Sequence, residues 1–284
     1  MTLERITVKS SAWLKDDSGV NVLHVDEPHA LVTAAGYLKF KLCRGSGEGV
    51  YFRGQRKLYG SLSPTLYRGL ASKRPQEKRQ ATLSALIDEF RKSGTIFNSF
   101  GTYAHEALLQ HYGIATSWID LVDNVWVALW FACHQALSIG KRGEYVHFER
   151  RQPSSSEKYA YLLLVAADIV QRSRDKPGYY FGDNTELVDL RMAAPSIFLR
   201  PHAQHGLLFR KKGGENGRPL DYSGQIRGTI RVDLAKALEW LGTGKMVNTH
   251  SLFPPPYYDS GYQILLTCGV NGDAPIGTIS HIGA

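Results

Sequence analysis

The spacing of apolar residues along the chain predicts several amphipathic and buried helices. Intervals of three and four residues separate Leu83, Leu86, Ile87 and Phe90. This spacing is typical of one face of a helix, which Gly94 is expected to end. A second helix is predicted from His105 to Tyr112, closed by Gly113.

The run from Asn124 to Cys133 is apolar on all sides and predicts a helix buried in the core. The side chain of Asp123 or Asn124 is suited to cap its first turn. Gly140 is expected to end it. A further helix from Leu234 to Leu241 is expected to stop at Gly242.

Short runs rich in β-branched, aromatic and leucine side chains predict strands between these helices. The predicted strands are Val50 to Phe52, Tyr159 to Ala166, Ile197 to Leu199, Gly206 to Phe209 and Thr229 to Val232. Two polar stretches, 150–158 and 213–219, read as loops. Strands and helices follow no regular βαβ alternation, so we expect an α+β fold with a mixed sheet core and flanking helices, in a single domain.

The charge of the chain favours anionic partners. Its net charge is +8 and its sequence pI is about 9.3. Nucleic acids, nucleotides and acidic protein surfaces all suit such a protein, and many basic proteins are merely soluble. The stretch from Arg53 to Arg79 is rich in Arg and Lys with Tyr59 and Tyr67 interleaved. That pattern suits a nucleic-acid backbone or a solvated basic loop region.

Cysteine usage and hydropathy predict a cytoplasmic protein with no membrane partner. The three cysteines, Cys43, Cys133 and Cys268, form no CxxC pair, and Cys133 lies in an apolar run that predicts a buried thiol. The segment from Met1 to Trp13 lacks the apolar region of a signal peptide, and no stretch is long and apolar enough to span a bilayer.

Several common site motifs are absent from the sequence. It has no P-loop, no dinucleotide-binding glycine fingerprint, no nucleophile elbow and no HExxH pair. His202 and His205 are three residues apart, but in extended chain that spacing is a weak metal signal. We therefore predict no metal site.

Three polar clusters lie beside apolar or glycine residues. The first is Arg53 with Gln55, at the end of a predicted strand. Its guanidinium suits a phosphate or carboxylate, and Gly54 permits close approach by a ligand or by backbone. The alternative is an arginine that ties down a loop through carbonyl oxygens or a buried carboxylate.

The second cluster is Gln110, His111 and Tyr112 at a predicted helix end, followed by Thr116, Ser117 and Asp120. His111 is as suited to satisfying the last helix carbonyls as to catalysis. Asp120 lies between apolar residues and needs a partner, for which Arg53 is a candidate. The third cluster comprises Arg200, His202, Gln204, His205 and Gly206 between two predicted strands, where it could read a base or nicotinamide edge or lie in water.

These clusters, in this order, resemble the FRG domain family, which takes its name from the tripeptide found here at Phe52, Arg53 and Gly54. Further resemblance lies in Leu62 to Arg68, Glu89-Phe90, Gln110 to Thr116, Asp120, Val127 to Ala132, Arg200 with Gln204 and Gly206, and Leu252 to Pro254. The resemblance covers residues 31–284, which leaves 1–30 as an N-terminal extension. The chain departs from the family pattern at Ala115, where proline is usual, at Ser117, where arginine is usual, and at Leu121-Val122, where tryptophan-threonine is usual.

The order of parts also resembles, more faintly, the ADP-ribosyltransferase fold. That resemblance implies NAD as substrate, with an arginine at the first strand end and a catalytic glutamate on a late strand. The counterpart of the late strand here, Ala203 to Leu208, contains no glutamate. The reaction passes through an oxocarbenium-like state that a carboxylate normally stabilises.

The resemblances together imply an NAD-binding enzyme that transfers ADP-ribose to a macromolecule, of a type found among toxins and antiphage effectors. The expected catalytic residues are Asp120, His111 and Gln204. The expected NAD-binding residues are Arg53, Gln55, Tyr112, Thr116 and Ser117. The alternatives are a non-enzymatic nucleic-acid-binding module and a nuclease that acts through His111 and Asp120.

Overall fold

The computed structural model describes residues 8–44, 47–169, 171–213 and 221–283. Positions 214–219 of the predicted loop and residues 1–7 of the predicted N-terminal extension lie outside the described residues. The described part of the chain forms these strands: β1 Ser11–Lys15, β2 Asn21–Val25, β3 Glu48–Gln55, β4 Ile119–Val122, β5 His134–Ile139, β6 Tyr145–Arg150, β7 Tyr159–Asp168, β8 Gln171–Arg172, β9 Tyr179–Phe181, β10 Thr185–Asp189, β11 Gly206–Lys211, β12 Ile226–Asp233 and β13 His281–Gly283.

The α-helices of the described residues are α1 Pro28–Cys43, α2 Lys73–Ser93, α3 His105–His111, α4 Val125–Cys133, α5 Leu190–Ala193, α6 Leu199–Ala203, α7 Leu234–Leu241, α8 Thr249–Leu252 and α9 Ser260–Thr267. Short 3-10 turns lie at Thr65–Tyr67, Thr95–Asn98, Thr102–Ala104 and Ser223–Gln225. No helix among the described residues combines the length and apolar character needed to cross a bilayer.

A ten-stranded mixed sheet forms the centre of the molecule, in the order β1-β2-β12-β7-β3-β4-β11-β10-β9-β8. Most neighbours are antiparallel, and β2 and β12 run parallel. A separate three-stranded sheet has the order β13-β6-β5. This is the expected α+β architecture of a mixed sheet with flanking helices.

Both faces of the large sheet are covered. One face of β3, β7 and β12 contributes Phe52, Leu164 and Ile230 to a core beneath α1, α4 and α7. The other face carries Leu163 and Val165, which belong to a second apolar cluster. A third cluster joins α2, α3 and α9. The centre of the sheet is therefore dry on both sides, and polar side chains near it need partners.

Two predicted elements differ from the structure: one helix ends earlier than expected, and one strand does not form. The buried helix begins as expected, since the Asn124 side chain accepts from the Trp126 and Val127 amides, but it ends at Cys133 and not at Gly140. Residues after Cys133 form β5, because pairing with β6 in the register His134–Arg150 satisfies their backbone groups.

The predicted strand from Ile197 to Leu199 does not form, and Arg200 and His202 of the third polar cluster are helical, not in extended chain. Phe198 precedes the short helix α6, which contains Arg200 and His202. Pro201 lies in the first turn of this helix, where a missing N–H costs no hydrogen bond. The strand expected after it is present as β11.

Gly54 brings β3 into direct backbone contact with α4. A Cβ atom at this position would lie 1.9 Å from the carbonyl oxygen of Ala128 and 2.7 Å from the amide nitrogen of Ala132. The sequence suggested two reasons for this glycine, close approach by a ligand or by backbone. The structure shows close approach by backbone. The contact fixes where the helix crosses the strand that carries Arg53.

We expect Gly54→Ala to lower the free energy of unfolding by about 2–3 kcal/mol, because the added methyl forces β3 and α4 apart. Gly60→Ala is the matched control, since nothing lies within 4 Å of a Cβ built there. The control should change stability by less than about 0.5 kcal/mol. Urea denaturation of both variants checks this, and equal midpoints would show that the contact is dispensable.

Candidate functional site

The sheet opens between β3 and β4. Strand β3 pairs with β7 along its whole length. Among the described residues it pairs with β4 at a single position, Phe52 with Val122. Beyond this pair Arg53 and Gly54 no longer face β4 across a ladder. Two adjoining cavities lie at this opening, and they share Arg53, Gly54, Phe131, His134 and Ala136 as walls.

The first cavity, which we call the aromatic cavity, has a volume of about 300 Å³. Four phenylalanine rings line it, at positions 52, 131, 148 and 253. Its polar lining comes from Arg53, Gln110, His111, Asp120, His134 and Gln204. Apolar walls with a few convergent polar groups are typical of small-molecule sites.

The second cavity, which we call the arginine cavity, has a volume of about 560 Å³. Three guanidinium groups line it, from Arg53, Arg56 and Arg68, with Gln55 and Tyr59 beside them. No carboxylate is among its described lining residues. An anionic ligand is therefore the occupant that its charge favours.

Arg53 lies between the two cavities and is only partly satisfied by the protein. Its Nη1 donates to the carbonyl oxygen of Asp120 at 2.7 Å, while Nε has no partner among the described residues. Burial lowers the pKa of Arg53, and the charge of Asp120 opposes that shift. The arginine thus both ties down backbone and keeps N–H groups at the cavity walls.

The carboxylate of Asp120 is held by a chain of hydrogen bonds from behind. Gln110 donates through Nε2 to Asp120 Oδ2 at 2.9 Å, and Gln110 Oε1 accepts from the Thr116 hydroxyl at 2.6 Å. The Thr116 oxygen in turn accepts from the Trp118 amide at 3.1 Å. Because Thr116 donates to the amide oxygen, the Gln110 nitrogen must face Asp120.

His111 presents a buried and unpartnered imidazole at the aromatic cavity. Its side chain is 2% exposed, and neither ring nitrogen has a hydrogen-bond partner among the described residues. Its Nε2 lies 3.9 Å from Asp120 Oδ1. A Cβ atom on Gly206 would lie 2.3 Å from the His111 ring, so this glycine leaves room for it. A buried polar group without a partner is uncommon, and both ring nitrogens here are also shielded from solvent.

Gln204 and Arg200 come from the helical turn α6 but have different places. Gln204 lines the aromatic cavity and donates to the Leu252 carbonyl at 2.9 Å. Arg200 is buried behind the site, with its guanidinium 4.5 Å and 4.0 Å from the ring centroids of Tyr112 and Tyr262. Its Nη1 donates to the His111 carbonyl at 3.0 Å, so Arg200 supports the end of α3.

Three of the eight predicted catalytic and binding residues do not line either cavity. Tyr112 is fully buried and donates to Asp259 at 2.8 Å, and burial raises its pKa well above the usual value. Ser117 is also fully buried, and its hydroxyl donates to Glu106 at 2.6 Å. Thr116 is fully buried, and its hydroxyl donates to Gln110. The structure brings together the other five, with Arg53, His111, Asp120 and Gln204 at the aromatic cavity and Gln55 at the arginine cavity.

Sequence reasoning did not assign several residues that line the site. Gln110 stood inside a quoted cluster, and Phe131 and Phe253 stood inside family-like segments. His134 and Phe148 carried no signal, because they reach the cavity through the small sheet. The His134 ring stacks on Trp130, with 4.1 Å between centroids, and its Nδ1 lies 2.8 Å from the Trp130 carbonyl oxygen.

Arg151 fastens the frame around the two cavities. Its guanidinium donates to the carbonyl oxygens of Arg56, at the end of β3, and of Tyr159, at the start of β7. It also donates to the carbonyl of Ala132 in α4 and to the carboxylate of Glu157. One buried side chain therefore joins the elements that shape the site.

The described residues hold no group of three or more His, Cys, Asp or Glu side chains suited to a metal ion.

Comparison with known proteins finds a match for one segment in the first half of this chain. The family model of the FRG domain matches residues 48–139. Residues 48–139 are therefore similar to the FRG domain. No curated protein and no solved structure matches the chain.

The segment that matches the FRG domain starts with β3 and ends with β5. It supplies Arg53, Gln110, His111 and Asp120, whereas Gln204, Phe148 and Phe253 come from beyond its end. The segment therefore provides most polar groups of the aromatic cavity, and the rest of the chain closes that cavity.

We expect His111 to stay neutral to lower pH than a free imidazole. Burial lowers the pKa of His111 and Arg200 adds to this, while Asp120 opposes it. The unfolded chain then binds the proton more readily. The free energy of unfolding therefore decreases as the pH falls below the pKa of a histidine in the unfolded chain, about 6.5.

An NMR titration of the imidazole Cε1–H resonance, assigned by its loss in His111→Gln, measures this pKa directly. A midpoint at or above about 6.5 would show that the charge of Asp120 outweighs burial.

Proposed function

We propose that the cleft of this protein binds NAD and transfers its ADP-ribose group to an acceptor. The observation that carries the proposal is a carboxylate, Asp120, held by Gln110 at the wall of a cavity lined by four phenylalanine rings and an arginine. That combination suits a ligand in which a flat ring is attached to a sugar. The reaction breaks the bond between the ring and the sugar.

The aromatic cavity fits the nicotinamide end of the ligand. Phenylalanine rings stack on flat heteroaromatic rings, and the amides of Gln110 and Gln204 offer groups for a carboxamide. Its volume of about 300 Å³ lies at the lower end of ligand pockets. A ligand that fills this cavity must therefore continue elsewhere if it is as large as a dinucleotide.

The arginine cavity fits the diphosphate. It adjoins the aromatic cavity through Arg53, and Arg56 and Arg68 add two further guanidinium groups. Planar guanidinium groups bind phosphate oxygens through paired N–H donors. A dinucleotide such as NAD contains a flat ring and a diphosphate within one molecule, and a ribose joins them.

The proposed reaction breaks the bond between C1′ of the ribose and the ring nitrogen of nicotinamide. The electron pair of that bond leaves with nicotinamide, and C1′ forms a new bond to an oxygen or nitrogen of the acceptor. Asp120 stabilises the positive charge that develops on the sugar. The acceptor loses one proton, which the neutral imidazole of His111 accepts.

The first test removes the charge of Asp120. We expect Asp120→Asn to lower the rate of nicotinamide release from NAD about 100-fold or more, with little change in the Kd for NAD. Glu149→Gln is the matched control, because Glu149 is exposed and lies outside both cavities. Chromatography of the products measures release, and calorimetry measures binding. Unchanged release in Asp120→Asn, or none from the wild-type protein, would overturn the proposed chemistry.

The second test concerns the diphosphate. We expect Arg68→Ala to raise the Kd for NAD about tenfold, because a charge-assisted hydrogen bond is lost. Arg68 is exposed and its closest acceptor is the Ser63 carbonyl at 3.4 Å, so its loss should not unfold the domain. Arg74→Ala, on the exposed start of α2, should leave the Kd unchanged. Equal effects of both variants would mean that only general charge attracts the nucleotide.

A further inference from the structure

Nearly all of the net charge of the protein is concentrated in 27 consecutive residues, 53–79. This segment contains eight Arg and Lys residues and one acidic residue, Glu77. Its net charge is therefore +7, against +8 for the whole chain. A concentration of this kind creates a local positive field and is not explained by solubility alone.

The segment begins at the arginine cavity and continues as the start of α2. Hydrogen bonds hold these two parts together: Arg79 Nη1 donates to the Leu66 carbonyl at 3.0 Å, and Gln76 Nε2 donates to the Leu70 carbonyl at 3.3 Å. The first turns of the helix thus lie next to the cavity wall at Arg68. We call the exposed side chains Lys57, Arg68, Lys73, Arg74 and Lys78 the basic surface.

The protein itself does little to neutralise the basic surface. Among the described residues, only Lys73 has an acidic side chain within 4 Å, Glu77 at 3.7 Å. Tyr59 is 49% exposed at the same place, with the Lys57 ammonium 5.4 Å from its ring centroid. Unpaired cations beside an open aromatic ring suit a partner with both negative charge and flat bases.

We propose that the basic surface binds a single-stranded nucleic acid and presents it to the cleft as the acceptor of ADP-ribose. The acceptor role rests on the function proposed above, whereas the binding does not. A single strand fits because its phosphates can follow the basic surface while a base stacks on Tyr59. Apart from Tyr59, the exposed large apolar residues of the described chain lie outside 53–79, so the surface lacks apolar anchors for a membrane.

The reaction follows the same balance as before. A hydroxyl or exocyclic amine of the nucleic acid attacks C1′, nicotinamide leaves with the bonding electron pair, and the proton goes to His111. The basic surface meets the rim of the arginine cavity at Arg68, so the acceptor approaches C1′ along that rim while the diphosphate occupies the cavity itself.

Binding is tested first, without NAD, by fluorescence anisotropy on labelled 12-nucleotide RNA and DNA. The test protein carries Lys57→Glu, Arg74→Glu and Lys78→Glu, which lie outside the proposed NAD site. The matched control carries Lys15→Glu, Lys141→Glu and Lys245→Glu, which are exposed and lie outside 53–79. For the wild type we expect a log–log salt slope of about −3, as for four to five phosphate contacts.

The test protein should bind at least about 30-fold more weakly with a flatter slope, and the control should change less than about threefold. Equal losses in both proteins, or absence of wild-type binding, would overturn the proposal. Preferential displacement by polyglutamate would overturn it too, in favour of an acidic protein. A difference in affinity between RNA and DNA would identify which nucleic acid is preferred and would support the proposal.

Transfer is tested next, with NAD labelled in the adenylate part. Label that moves onto the nucleic acid with the wild type and the control, but not with the test protein, supports the acceptor role. Label that ends only in free ADP-ribose, while the nucleic acid is bound, overturns that role. Nicotinamide release without nucleic acid reports separately on the proposed function, so the two failures are distinguishable.

Discussion

The hydrogen bond from Arg53 to the Asp120 carbonyl replaces a missing ladder between two central strands. Strands β3 and β4 pair only at Phe52–Val122, and a split in a sheet exposes backbone groups that need partners. The guanidinium satisfies one of these groups and holds the opening at a fixed width. Both cavities exist because the strands separate here, and Arg53 belongs to both of them.

The site is built from groups that lower the stability of the apo fold. A buried imidazole with no partner at His111, and the unpartnered Nε of Arg53, both carry desolvation costs that the described residues do not offset. Apolar packing on both faces of the sheet and the hydrogen bonds of Arg151 stabilise the fold and outweigh these costs. Both groups are also shielded from solvent, so the fold bears these costs without relief from water.

Much of the fold could be predicted from local patterns, and the site could be predicted only in part. The helix that contains Leu83 and the capped helix after Asn124 follow from periodicity and capping, which act within one or two turns. The end of that second helix depended on the pairing of β5 with the distant strand β6, which no local pattern reports. Motif residues at the ends of strands or helices line the cavity. Ser117 does not, because its hydroxyl donates to Glu106.

The sequence by itself determined the chemistry that is available: an arginine after a core strand, a Gln-His pair ahead of a carboxylate, and a dense run of positive charge from 53 to 79. The tertiary structure decided which of these meet. It placed Gln110 behind Asp120, and it brought Phe148 and Phe253 from distant segments to the same cavity. The reason is physical, because residue type and spacing fix local hydrogen bonding, while a cavity forms only where elements remote in sequence leave a gap in their packing.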